Sequence, residues 1–558
     1  MQNLSFAKKI KKDFILLLIF VFLLSACQPA FWGAPPPSST PITREATLTA
    51  TIMPLPPTAV VPNKLSVSPA VPSLLRDLLL KNGFQLSTSQ QKSASHSIDV
   101  TQSADNVKNI STWTYALVVP FPTLMDDVTS QDLRSAWSAS SFLPFAGIPL
   151  LMDESTLLTF SALWGEPAEG AVQIVPADEL LDTAWNQMPA WAIIPFESIE
   201  PKWKVLMIDG QSPIQKKFDS KVYPLIAAYQ LTCTDPCLNP EELSFQNRDP
   251  KKLATVILTG VTALVRATAD KMEKKGVLYP AEEIRDLLRE ADITHINNEV
   301  PFYSDCPTPD PNQKGLVFCS DPRYMELLTD IGTDVMELSG DHFADYGQGA
   351  MYETIDIYKA NNLPYYGGGL NAAEGLKPLL LEVNGNKLMF IGCNYKVQYA
   401  SATDTIPGSV ACDFEYETEQ IRYYRSQGYL PIATFQYHEY EAPETTPQQV
   451  IDFRTMAEAG AVIVSGSQAH VPQVMEFYRD AFIHYGLGNL FFDQFTRIKQ
   501  NEFIDRHIFY DGRYLGVELI TTFLEHYARP RFMMPAERNK FLLEYFDKSG
   551  WGGLQAGQ

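Results

Sequence analysis

Four short polar segments concentrate the side chains able to do chemistry: Asn297-Asn298-Glu299, Ser339-Gly340-Asp341-His342-Phe343-Ala344-Asp345-Tyr346-Gly347, Gln436-Tyr437-His438-Glu439-Tyr440-Glu441, and Gly466-Ser467-Gln468-Ala469-His470. Each follows a run of apolar residues that reads as a strand. Carboxylates and imidazoles converging from several strand ends suit a hydrolytic metal centre, where a cation needs nitrogen and oxygen ligands plus open positions for water and substrate. Any one of these histidines alone reads more simply as a surface or core residue. Their recurrence at strand ends favours a site.

The elements that would position them alternate. Leu253 to Leu258, Ile293 to Ile296, Asp334 to Leu338, Tyr429 to Tyr437 and Ala461 to Ser465 are predicted strands. Ala281 to Glu290, Pro322 to Ile331, Ala350 to Asn361, Glu415 to Ser426 and Pro447 to Gly460 are predicted helices. Asn384-Gly385 between apolar runs is a hairpin signal. This alternation predicts an α/β domain, and in open α/β sheets ligands gather at the carboxyl ends of strands.

With the segments in this order, residues from about 253 to 495 resemble the CapA family of capsule-synthesis, or poly-gamma-glutamate biosynthesis, proteins, whose fold belongs to the calcineurin-like metallophosphatases. The matching stretches are Gly260-Val261, Asn297-Asn298-Glu299, Gly340-Asp341-His342 with Asp345-Tyr346-Gly347, His438-Glu439-Tyr440, Gly466 to His470, and Tyr485-Gly486-Leu487-Gly488-Asn489-Leu490. Arg266, Gly367 to Gly369, and Pro447 with Gln448 also fit. The resemblance implies metal ligands at Glu299, Asp341, His438, His470 and Gln468, a general acid at His342, and substrate contacts from Arg266, Asn298 and Asn489. It also exposes departures: Val261 stands where the family has an aspartate ligand, and Gln468 where it has a histidine. One divalent ion (Mn, Fe or Zn) is therefore expected rather than two. The resemblance implies a cell-surface role in the synthesis, export or anchoring of capsule or poly-gamma-glutamate, with a partly degenerate metal site; the alternatives are a single-metal phosphoesterase-type hydrolase and a non-catalytic, lipid-anchored binding or scaffold protein.

Upstream, residues 69–245 carry strand-like runs at Tyr115 to Pro120 and Trp191 to Pro195, with helices at Ser130 to Ser138 and Ala177 to Trp185. Ala116 to Pro120 followed by Leu124 to Trp137, and Trp191 to Pro195 with Leu206 to Pro213 and Tyr223-Pro224-Leu225, resemble parts of phosphate-type periplasmic solute-binding proteins. The length suits a reduced or single-lobed version, or a structural spacer. The expected fold class is thus α/β: a metallophosphatase-like layered β-sandwich flanked by helices over residues 250–535, preceded by a smaller solute-binding-like α/β domain. Residues 536–558 form a C-terminal tail, with a helix over Phe541 to Phe546 and a Gly-rich end.

The first residues place Lys8, Lys9, Lys11 and Lys12 before the apolar run Phe14 to Leu24. That run is shorter than the roughly 20 residues of a bilayer span, and its layout is that of a signal peptide. Leu24-Ser25-Ala26-Cys27 resembles a bacterial lipobox, which implies a diacylglycerol thioether on Cys27 and removal of the preceding peptide. A Pro-, Ser- and Thr-rich tether is expected over residues 28–68. The chain is thus expected outside the cytoplasm, anchored to a membrane through Cys27, with an envelope polymer or polymer-synthesis proteins as further partners. The formal net charge of -21 argues against nucleic acid, because phosphate contacts require clustered Lys and Arg. The other six cysteines fall in close pairs, Cys233 with Cys237, Cys306 with Cys319 and Cys393 with Cys412. An exported chain allows local disulfides there, although spacing alone leaves connectivity open.

Overall fold

The computed structural model describes residues 63–552 apart from 88–93, 103–109, 139–144, 234–242, 397–398 and 494–496. The expected signal peptide, Cys27, Cys237 and the expected tether as far as residue 62 lie outside the described residues; Asn63–Val67, expected as the tether's end, is instead a strand that pairs in parallel with Phe84–Leu86 and His96–Thr101.

Two sheets face one another across the carboxyl-terminal half. One contains, in parallel, Leu253–Thr262, Ile293–Asn298, Val335–Glu337 and Tyr365–Tyr366, and continues antiparallel through Asn501–Tyr510 and Arg513–Glu525 to Arg529–Phe532. The other runs Leu379–Val383, Asn386–Asn394, Leu430–Gln436, Ile463–Ser467, Ala481–His484, Met475–Tyr478, parallel across its middle strands. The central parallel strands are buried along their whole length, as Leu253–Thr262 and Leu430–Gln436 show; this is what continuous apolar runs produce when both faces of a sheet are covered. Val256, Leu258, Ile293 and Val335 meet Phe390, Ile432 and Ile463 between the sheets. Helices cover the outer faces: Met272, Leu288, Leu327 and Ile355 on one side, Ile421, Phe453 and Met456 on the other. Phe541, Leu542, Tyr545 and Phe546 of the helix Pro535–Lys548, spaced to share one face, also enter the inter-sheet core.

Local chemistry sets the element ends. Pro447–Ala459 starts where Thr446 accepts a hydrogen bond from Gln449 N, has proline in its first turn, and stops at Gly460 in the left-handed region (φ 114°). Asn384 and Gly385, both with positive φ, close the hairpin between Leu379–Val383 and Asn386–Asn394. Disulfides join Cys306 to Cys319 and Cys393 to Cys412. Cys233 is also disulfide-bonded.

The amino-terminal residues build a nine-stranded sheet in which Ile110–Pro120 pairs with Ile226–Cys233, Trp191–Pro195 and Trp203–Val205. Its own core holds Trp113, Tyr115, Phe160 and Trp191. On another face Ala116, Val118 and Ile194 share a cluster with Leu253, Ile508 and Leu515 of the carboxyl-terminal half.

Candidate cation site

The parallel strands of both sheets end side by side, so the turns after Ile293–Asn298, Val335–Glu337, Leu430–Gln436 and Ile463–Ser467 deliver side chains to one place. Close backbone approach makes this possible: a Cβ at Gly340 would lie 2.4 Å from Glu299 O, so only glycine lets the Asp341 turn pack against Glu299. Gln468 (φ 82°) and His470 (φ 55°) occupy left-handed backbone that ordinary residues rarely adopt, at a cost of about 1–3 kcal/mol each. Such strain is held in place only where the surroundings over-determine it.

Among the described residues, Glu299, Asp341 and His342 bring ligand atoms within 4.8 Å of one another. The other such grouping, Cys393, Cys412 and Glu417, contains a disulfide. Glu299 is fully buried. Gln436 Nε2 donates to Glu299 Oε1 (3.1 Å) and more weakly to Asp341 Oδ1 (3.5 Å), while Gln468 Nε2 approaches Asp341 Oδ2 (3.5 Å). Lys396 Nζ sits 2.8 Å from Asp341 Oδ2. His342 Nδ1 pairs with Asp345 Oδ2 at 2.7 Å, and Asp345 also accepts from Phe318 N and Tyr399 Oη.

The charges sort themselves by environment. Burial, then the neighbouring Asp341, pushes the Glu299 carboxyl well above its ordinary range. Burial opposes ionisation of Asp341 too, but His342 and Lys396 outweigh it and hold its carboxyl below the usual value. Burial would neutralise His342, yet Asp345, Glu299 and Asp341 together raise its pKa to about 9. Without a bound cation the site therefore favours an ionised Asp341, an imidazolium at His342 and a proton on Glu299.

The remaining expected residues lie nearby but outside this group. His470 Nδ1–H donates to Asn489 Oδ1 (3.0 Å), and burial depresses its pKa. His438 is exposed and packs edge-on against Tyr395 and Tyr437. Arg266 forms a buried two-pronged pair with Asp493 (2.9 and 2.7 Å), whose other oxygen accepts from Ala267 N. Asn298 Nδ2 donates to Val300 O and Tyr358 Oη, and Asn489 Nδ2 to His470 O and Lys499 O. Sequence reasoning assigned no role to Lys396 or Gln436. Lys396 had a usable signal, since Asn394-Tyr395-Lys396 follows the apolar run Leu388 to Cys393 and so stands at another strand end. Gln436 was inside a quoted segment but carries no charge to single it out.

The donor set fits one hard cation. Glu299 Oε2 and Gln468 Oε1 are buried without a hydrogen-bond partner, as is Asn297 Oδ1 close by. Gln468 Oε1 and Asn297 Oδ1 are acceptors, and Glu299 Oε2 becomes one once a cation displaces its proton; such orphaned oxygens around the Glu299 and Asp341 carboxyls are what a hard, oxygen-preferring ion satisfies. Val261, at the position of the family's aspartate, lies in an apolar cluster with Ala263, Val265, Val300, Phe318 and Phe492. No second ion finds a ligand from Val261.

Residues 255–494 match the family described as bacterial capsule synthesis protein PGA_cap. This region belongs to that family. The paired sheets and their covering helices are its metallophosphatase-like α/β fold. The capsule biosynthesis protein CapA of Bacillus anthracis is 26% identical over 295 residues, covering 51% of this chain and 71% of that protein. The PGA biosynthesis protein CapA of Bacillus subtilis (strain 168) is 25% identical over 248 residues, covering 43% and 64%. Solved structures of a 5'-nucleotidase precursor from Thermus thermophilus (12% identity, 53% of this chain and 58% of that one, TM-score 0.29) and an ABC-type phosphate transport receptor from Vibrio cholerae (13%, 31% and 88%, TM-score 0.26) are similar to parts of the chain. Superpositions this loose say nothing about substrate.

Proposed function

We propose that this chain is a cell-surface CapA-like lipoprotein, anchored through Cys27, that serves the synthesis, export or attachment of an anionic envelope polymer such as poly-gamma-glutamate. Its capsule-synthesis region holds a single divalent cation. Support for the polymer comes from the two relatives, whose names specify capsule and PGA biosynthesis. The observation that carries the cation is the buried Glu299 and Asp341 pair flanked by partnerless acceptor oxygens.

Glu299 and Asp341 would hold the ion, with Gln468 Oε1 as a neutral third ligand. When bound, a divalent cation supplies Lewis acidity and lowers the pKa of water. The chain's own part is proton delivery and orientation. His342 Nδ1–H donates to Asp345, which fixes the ring, so in the imidazolium the Nε2–H is the proton free to pass to a leaving oxygen. Gln436 keeps Glu299 turned toward Asp341.

One observation favours a second, non-catalytic reading. Lys396 already neutralises Asp341 as a built-in cation, so the site can persist as a scaffold with no ion. Metal content and turnover of the full chain separate the two. Bound Mn, Fe and Zn are measured, and hydrolysis of a chromogenic phosphodiester is compared between wild type and Glu299→Ala. Stoichiometric metal with turnover lost in the variant supports the hydrolase. Turnover indifferent to Glu299→Ala sinks the cation reading, and the absence of both metal and turnover leaves the scaffold. Mass analysis of the amino-terminal peptide tests the diacylglyceryl group on Cys27.

A further inference from the structure

A cavity of about 340 Å³ lies far from the cation site in sequence, between the amino-terminal sheet and the carboxyl-terminal half. One wall is Arg513–Glu525, and residues 515–521 all line the space consecutively. Successive residues of a strand point to opposite faces, so a run of consecutive lining residues means that the strand presents its edge. Among the described residues no strand pairs with that edge from Gly516 to Ile520. Arg513–Glu525 bonds Asn501–Tyr510 on one side, while on the other Arg529–Phe532 pairs with Thr522 to Glu525 and Met533 N donates to Thr521 O. The facing wall includes Trp203, Lys204 and Val205, whose strand pairs, among the described residues, only with Ile110–Pro120. The two edges converge at one end, where a Cβ on Gly516 would lie 3.7 Å from the carbonyl oxygens of Pro201 and Trp203. Beyond that point they diverge and leave a slot.

The slot is mainly apolar, with Ile508, Leu515, Phe532 and Met533 among its lining. Its polar groups are unevenly satisfied. Lys204 and Arg538 both pair with Asp126. Among the described residues Arg506, whose side chain is 9% exposed, pairs only with Glu518, and at 3.5 Å. Arg506 Nη2 and Thr521 Oγ1 are buried without a hydrogen-bond partner. Burial pushes the Glu518 carboxyl above its ordinary value, which weakens it as a counter-ion. Cationic groups exceed carboxylates here by one, in a chain whose overall charge is -21.

We infer that this slot binds an extended peptide segment of about four residues as an added strand along Gly516 to Ile520, with one of its carboxylates on Arg506. A peptide backbone satisfies the open edge, apolar side chains fill the walls, and the carboxylate answers Arg506. A simple amphiphilic acid uses the walls and Arg506 but leaves the edge unpaired.

The test uses the full chain in phospholipid nanodiscs and four probes: acetyl-Leu-Val-Leu-Asp-amide, its Asn counterpart, the Asp peptide with N-methylated backbone, and decanoate. Calorimetry reports affinity, and amide hydrogen exchange reports the strand edge. The Asp peptide should bind about tenfold or more tightly than the Asn peptide, the scale of a charge-assisted hydrogen bond. It should also slow exchange across Val517 to Ile520, and N-methylation should abolish both effects. Arg506→Gln should erase the Asp preference, and Val205→Trp, which fills the slot from the opposite wall, should abolish binding while the fold is retained. Failure of the Asp peptide to bind, equal binding of both peptides, or occupation by decanoate without slowed exchange overturns the inference.

Discussion

Replacing Lys396 with methionine keeps the apolar stem and removes an ammonium that lies 2.8 Å from Asp341 Oδ2 and 3.7 Å from Glu439 Oε2. Two unit charges 4 Å apart interact by about 4 kcal/mol at an effective dielectric of 20, so a dication on Asp341 would meet about twice that repulsion from a fixed ammonium. Lys396 is not fixed. Its side chain is 31% exposed, and a flexible four-carbon stem lets the ammonium retreat into water. The residual penalty is on the order of 1.5–3 kcal/mol, or roughly ten- to a hundredfold in affinity. Titration of the full chain with Mn2+, following free Mn2+ by electron paramagnetic resonance, should show tighter binding in Lys396→Met than in wild type. Lys396→Arg retains the charge and should stay weak. Equal or weaker Mn2+ binding by Lys396→Met would refute the idea that the lysine and the cation compete for Asp341.

Two further outcomes concern stability. Asp493→Ala leaves the buried Arg266 guanidinium without its two-pronged partner and should cost about 3–5 kcal/mol, read as a lower urea midpoint; a change within the noise of the measurement would mean that the pair contributes nothing. His507 is buried, and burial lowers its pKa from 6.5 to about 4. Between those values the unfolded chain takes up a proton that the folded chain refuses, so stability falls with decreasing pH by about 1.4 kcal/mol per unit, roughly 3 kcal/mol across the window. Above pH 6.5 this contribution is constant. Urea unfolding at pH 6.5 and 4.5 should therefore show a smaller pH dependence in His507→Gln than in wild type, and identical slopes would exclude His507 as the cause.

Much of the architecture was legible because apolar runs and turn residues act locally. Trp191–Pro195 has the predicted bounds, and the helix Pro447–Ala459 was announced by Thr446, Pro447 and Gly460. Boundaries drifted where tertiary pairing extends a strand past its apolar core. Leu253–Thr262 continues four residues beyond its predicted end because Val261 and Thr262 pair with Asn489 and Phe491. At the site, Glu299 and Asp341 could be read from motif order. Lys396 and Gln436 also stand at strand ends, but their pairing with Asp341 and Glu299 could not be read, because they come from two further strands that meet these carboxylates only through the face-to-face packing of the sheets. His438 was read from the same motif order as a metal ligand, yet its turn swings it toward Tyr395 and solvent. Chain spacing holds no record of that rotation.

The cross-link between Cys393 and Cys412 bears on the lysine that answers Asp341. It closes the end of Asn386–Asn394, where Asn394 exchanges backbone bonds with Val410 and Cys412, anchors its amide to Ser339 O, and accepts from Lys396 N. The basic side chain is thus suspended from an oxidised clasp three residues away. A chain matured among reducing thiols would lose the clasp and hold that charge by hydrogen bonds alone, so the redox state of the compartment becomes a setting of the acidic pocket itself.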